Sequence, residues 1–164
     1  MKKMIIFLIA SIGLLNLSAQ QIPKWKITDV EKYMNNSENG VMVINFWATF
    51  CKPCVAEIPS FIKITNQHKS ENVKLMLVSL DLPSYYPAKI ASFAKKQKFD
   101  ANIVWLEETD ADYFCPRIDK SWSGSIPATL FLNPRTGYRK FFEEEIDAAT
   151  FENELKVALA DKPL

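Results

Sequence analysis

Two cysteines, Cys51 and Cys54, stand two residues apart in the stretch NFWATFCKPCVAEIP, residues 45–59. Their spacing suits three chemistries: a redox-active dithiol, half of a metal clasp, or a structural disulfide. A thiol is a nucleophile only as its thiolate, and lowering its pKa from about 8.5 to about 7 raises the thiolate fraction at neutral pH from a few per cent to about half. The pair is placed to receive such a shift. It follows an apolar run ending at Phe46-Trp47, and the residues after Cys51 open a helix, whose N-terminus presents unpaired N–H groups and a partial positive charge. Lys52 adds a cation, and Pro53 fixes the turn without a competing N–H. Cys54, one helical turn on, can attack a mixed disulfide formed at Cys51.

A static bridge across two intervening residues closes so short a loop that it constrains the unfolded chain little. A zinc site wants a second Cys/His pair, and the other candidates are Cys115 and the single histidine, His68. His68, in the polar stretch Asn66-Gln67-His68-Lys69, reads as a solvated helix end. Cys115, in DYFCPRIDKSW, reads as a buried, inert thiol beside Tyr113 and Phe114; the alternative is an extra resolving thiol. No metal and no cofactor is expected.

The elements that must hold the pair are legible as alternating β and α signals. Thr28 could cap a helix with Glu31 three residues on. Val41 to Phe46 and Val73 to Leu80 are apolar runs of the kind found in sheets covered on both faces. Between them Val55, Ile58 and Ile62 recur at helical spacing, and a further helix starting near Pro87 turns Ile90, Phe93 and Ala94 inward. The basic cluster Lys95, Lys96 and Lys98 reads as that helix's wet face. Ile103 to Leu106 could add a short strand. Thr129 to Leu132 and Tyr138 to Phe142 flank the turn Asn133-Pro134-Arg135-Thr136-Gly137 as a hairpin, and Phe151, Leu155, Ala158 and Leu159 make the inner stripe of a closing helix. The pattern predicts a mixed α/β sandwich in one domain, residues 20–164.

Lys2 and Lys3 followed by the apolar run Met4 to Leu17 and then Ser18-Ala19 read as a secretory signal peptide, residues 1–19. Leu17, three residues before the expected cut, is larger than the small residue usual there, so an uncleaved anchor stays open. Loss of the two lysines moves the formal net charge from +1 to −1, which gives no electrostatic footprint for nucleic acid.

In combination the motifs resemble exported thiol–disulfide oxidoreductases of the TlpA/ResA type. NFWATFCKPC resembles that family's strand, aromatic-rich turn and active-site pair; CVAEIP carries its helix glutamate and proline as Glu57 and Pro59; SIPATLFLNPRTG resembles its cis-proline loop and hairpin. The resemblance spans roughly Val41 to Leu159 and implies a thioredoxin-like fold, a central mixed β-sheet flanked by helices. It implies Cys51 as the attacking thiol, Cys54 as the buried resolving one, and a cis peptide before Pro127, with the backbone of Ile126 offered to an extended substrate strand. Asn45 departs from thioredoxin, which carries a buried aspartate there, and the resemblance transfers proton handling to Glu57, with a pKa raised by burial. Trp47, Phe50, Pro53 and Trp122 join Ile126 and Pro127 as candidate substrate contacts; plain packing is an equal reading for Trp47 and Trp122, and Phe50 is expected to be partly exposed.

The activity implied is reduction of protein disulfides in the periplasm or another extracytoplasmic compartment, for example in cytochrome c maturation, with electrons from a membrane-embedded thiol donor. Two other readings remain: a disulfide-forming oxidant with the same residues, and a thioredoxin-fold copper-binding or delivery protein. The copper reading needs a distal histidine, for which His68 is the only residue present.

Overall fold

The computed structural model describes residues 21–160; the expected signal segment lies outside them. Six strands form one sheet: β1 (Lys24–Trp25), β2 (Val41–Trp47), β3 (Val73–Ser79), β4 (Asn102–Leu106), β5 (Ala128–Asn133) and β6 (Tyr138–Phe142), in the spatial order β1-β4-β3-β2-β5-β6. The pairs β1/β4, β4/β3 and β3/β2 are parallel, whereas β2/β5 and β5/β6 are antiparallel. The expected mixed sheet flanked by helices is the observed one.

Every residue of β2 is buried, as a central strand covered on both faces requires. Its side chains divide by the two-residue period of a strand. Val41, Val43 and Trp47 pack with Ile58 and Phe61 of α2 (Lys52–Gln67), Ile90 and Ala94 of α3 (Ala88–Gln97), and Phe151 and Leu155 of α5 (Ala148–Ala160). Met42, Ile44 and Phe46 pack on the other face with Ile27 and Val30 of α1 (Ile27–Met34) and Phe114 and Ile118 of α4 (Ala111–Ile118). Asn45 therefore points toward α2 from the middle of an apolar strand.

The first helix begins one residue before Thr28. Lys26 is its cap and donates its N–H to the Asp29 carboxylate at 3.0 Å, while Thr28 is exposed inside the helix. Burial of Ile27, with no exposed surface, draws that residue into the helix and outweighs the capping preference of threonine. Glu31 instead reaches α4, accepting from Arg117 Nε at 2.9 Å. Sequence reasoning did not find α4 because Pro116 interrupts it and proline inside a helix removes a backbone donor. The signals for it were Asp110, whose carboxylate caps the Tyr113 N–H, and the i, i+4 pair Phe114 and Ile118. Lys95, Lys96 and Lys98 are exposed, as expected.

Helix α5 is held by ring packing. Phe151 stacks on Phe61 of α2 with centroids 4.1 Å apart and tilts against Phe131 of β5 at 5.2 Å. Replacing it with alanine removes a fully buried ring from that joint, which costs about 3–5 kcal/mol in comparable cores. Phe151→Ala is therefore expected to lower the unfolding free energy by that amount, read as a lower denaturant midpoint with an unchanged slope of the transition; a loss under about 1 kcal/mol would show that α5 is dispensable to the core.

Candidate active site

Strand β2 runs into the site along its own axis. After Trp47 the chain turns through Ala48, Thr49 and Phe50, the Cys51 N–H donating back to the Ala48 carbonyl at 3.0 Å. Cys51 is the N-cap of α2, and its Sγ accepts from the Cys54 N–H at 3.3 Å. The two cysteines form a disulfide with Cα atoms 5.3 Å apart. Cys54 is sealed from solvent and Cys51 keeps 8% of its surface, so an incoming sulfur reaches Cys51 first. Phe50 projects beside it with 61% of its surface exposed. Pro53 lies exposed in the first turn of α2.

Glu57 is one turn beyond Cys54 on the same helix face, with only 4% of its surface exposed. Its Oε1 accepts from Asn45 Nδ2 at 2.8 Å and its Oε2 from the Ile146 N–H at 3.1 Å. Burial pushes its pKa up, to about 7, against the opposing pull of those two donors. Asn45 also donates to Thr129 Oγ1 at 2.9 Å, across the register pair Asn45↔Thr129 of β2 and β5. Its amide thus locates the carboxyl by using both N–H bonds, which an aspartate could not do. A carboxyl poised near neutrality beside a dithiol can give or take a proton at working pH.

On the opposite side of the site the Ile126–Pro127 peptide is cis. Pro127 is buried immediately before β5, whose first residue Ala128 pairs with Phe46, so the loop meets the same end of the sheet as the cysteines. Ile126 is half-buried and packs against both cores. The two tryptophans lie beneath this surface. Trp47 has no exposed surface and packs on Phe93 and Phe99; Trp122 is buried against Phe46, Phe114 and Phe141, its Nε1–H donating to the Ser125 carbonyl at 2.9 Å. Packing is thus the geometry of both rings, and of the aromatic candidates Phe50 alone offers a free face.

Cys115 is buried and unpaired, with its thiol pushed up to about 11 by burial and by the nearby acids Glu143 and Asp112. A thiol so held is protonated and inert at neutral pH. His68 is the C-cap of α2 and pairs with Glu71. The helix has 16 residues with Cys51 and His68 as its two caps, which puts His68 about 26 Å along the axis from Cys51 at 1.5 Å per residue. Among the described residues no group of three His, Cys, Asp or Glu could hold a metal.

Asp81 was not singled out from sequence. It is buried just past β3, and its carboxylate accepts from the Thr49 N–H at 3.1 Å, the Thr49 hydroxyl at 2.6 Å and the Ser79 hydroxyl at 2.8 Å. These bonds tie down the turn that delivers Phe50 and Cys51. The available signal was an acid directly after an apolar strand, in VSLDLP.

A carboxyl with a higher pKa in the fold than in the unfolded chain binds its proton more tightly when folded. Its stabilising share is full below the unfolded value of about 4.3 and is lost as pH rises through about 7. The oxidised protein is therefore expected to lose on the order of 3 kcal/mol of stability across that window, and Glu57→Gln to flatten the loss. Unfolding curves collected from acid to neutral pH check this; parallel profiles for the two proteins would mean that Glu57 titrates as an ordinary surface carboxyl.

The AhpC/TSA family model matches residues 18–136. Thiol-disulfide oxidoreductase ResA of Oceanobacillus iheyensis is 38% identical over 48 residues, 29% of this chain and 25% of that protein. Sporulation thiol-disulfide oxidoreductase A of Bacillus subtilis is 32% identical over 62 residues, 38% of each chain. The chain thus matches about a quarter to two fifths of the length of these relatives. The crystal structure of a thioredoxin-related protein from Neisseria meningitidis serogroup B superposes with a TM-score of 0.62 at 25% identity, covering 73% of this chain and 84% of that one. The resemblance read from the motifs is borne out by these relatives. With its family match running from before β1 through β5 and a thioredoxin-like fold around the cysteine pair, the protein is a member of the AhpC/TSA family.

Proposed function

We propose that the protein is an extracytoplasmic thiol–disulfide oxidoreductase that reduces protein disulfides. The observation that carries this reading is the Cys51–Cys54 disulfide at the start of α2, in which Cys51 keeps 8% of its surface and Cys54 none, with a carboxyl of pKa about 7 one helical turn beyond Cys54. In the reduced state the Cys51 thiolate attacks one sulfur of a substrate disulfide, forming a mixed disulfide and releasing the first substrate thiolate. The Cys54 thiol gives up its proton, with Glu57 as the nearby acceptor, and its sulfur attacks Cys51 Sγ. That step closes the internal disulfide and releases the second substrate thiolate; two electrons have passed to the substrate. A membrane-embedded thiol donor then returns two electrons to the pair.

The names of the matched relatives, thiol-disulfide oxidoreductases, support the reaction class. The apolar run Met4 to Leu17 behind two lysines supports export. The copper reading is disfavoured by the position of His68, at the far end of α2 and paired with Glu71.

Removing the resolving thiol stops the exchange halfway. Cys54→Ser is expected to accumulate a mixed disulfide with a protein substrate through Cys51, visible as a mass shift reversed by a small thiol, and Cys51→Ser is expected to accumulate none. Trapping by Cys51→Ser at the rate of Cys54→Ser would reverse the roles of the two cysteines; trapping by neither would remove the activity.

A further inference from the structure

The loop between α4 and the cis-proline is held by a residue from outside it. Ser123, Gly124 and Ser125 are small residues, exposed or half-exposed, and Gly124 has a φ of +99° that favours glycine. Glu143, the first residue past β6, turns its carboxylate onto them. It accepts from the Ser123 N–H with both oxygens, at 2.9 and 3.1 Å, from the Ser123 hydroxyl, and from the Ser125 N–H at 3.0 Å; the Gly124 N–H faces it as well. Burial works against the charge of this carboxyl, but these donors outweigh it and hold the pKa below the ordinary carboxylate range. Among the described residues no other side chain from outside the loop accepts from these amides.

We infer that Glu143 is a positioning residue for substrate, one that fixes the 123–125 backbone so that Ile126 and cis-Pro127 present a preformed edge to an extended disulfide-bearing segment. The inference rests on the functional reading above, since it assumes that a substrate strand docks there. Three consecutive amides curled around one point form an anion-binding nest, and here the protein fills it with its own carboxylate. The loop is thereby ordered before a partner arrives, which lowers the entropic cost of docking. Trp122 anchors the near end through its buried ring and the bond to Ser125, and Pro127 anchors the far end. Glu143 holds the span between them. Among the described residues no hydrogen bond of this arrangement reaches the Cys51 or Cys54 sulfur, so its effect belongs to docking and not to the exchange step.

The test is steady-state reduction of insulin disulfides by the full chain, with dithiothreitol supplying the electrons and its uncatalysed background subtracted, and with Glu143→Ala and Glu143→Gln beside the wild type. Glu143→Ala is expected to raise KM at least fivefold with kcat changed less than twofold, and Glu143→Gln, which keeps one acceptor oxygen, to recover part of the loss. Amide hydrogen exchange at Ser123, Gly124 and Ser125 is expected to quicken at least tenfold in Glu143→Ala. An unchanged KM, a loss confined to kcat, or unchanged exchange at the three amides overturns the inference and leaves the oxidoreductase reading standing. A wild-type protein inert toward insulin removes that reading, and the inference with it. Should Glu143→Ala not fold, the same measurements on Glu143→Gln against wild type decide the matter by the same signs, at smaller amplitude.

Discussion

A carboxyl group buried in an apolar sandwich is costly unless it is hydrogen-bonded or protonated, and the placement of Glu57 depends on both provisions. Asn45 reaches it from the central strand, the Ile146 N–H reaches it from the segment before α5, and burial raises its pKa to about 7. Each donor fixes a larger element. Asn45 must stand on the α2 face of β2, which sets the side-chain alternation of the whole strand and of its register with β5. Ile146 must approach α2, which sets the path of the chain from β6 into α5. The stacking of Phe151 on Phe61 continues the same joint in apolar form.

The segment from Glu143 to Ile146 touches the site twice. Its first residue orders the cis-proline loop and its last completes the hydrogen bonding of Glu57. Asp81 plays the matching part on the other side, fastening Thr49 and with it the turn to Cys51. The cysteine pair is thus framed by three carboxylates with distinct duties. One is buried with its pKa raised to about 7 and two accept from backbone and hydroxyl donors, so that position comes from hydrogen bonds to carboxyl groups and not from bulk.

What was legible in the sequence was local. The C-x-x-C pair, the strand that feeds it, the periodicity of α2 and the hairpin over residues 133–137 all leave a signature within a few residues of themselves. The parts that were missed are made by contacts between distant residues. Thr49 and Asp81 are 32 positions apart, Ser123 and Glu143 are 20, and Glu57 and Ile146 are 89, and a hydrogen bond across such distances imposes no period on the chain. Thr28 was misread because a capping preference worth about 1 kcal/mol competed with the burial of Ile27, which is worth about two to three times as much. Trp47 shows the same limit. An aromatic residue beside a reactive pair can face solvent or core, and only the packing of Phe93 and Phe99 decides for the core.

The measurement closest to the central claim is the reduction potential of the Cys51/Cys54 couple at neutral pH, found by equilibrating the protein with a thiol buffer and quantifying both forms. The proposed reduction of protein disulfides predicts a potential well below about −200 mV, toward the value of about −270 mV of thioredoxin. A potential near about −120 mV, that of the oxidant DsbA, would mean that the pair donates disulfides and would contradict the account.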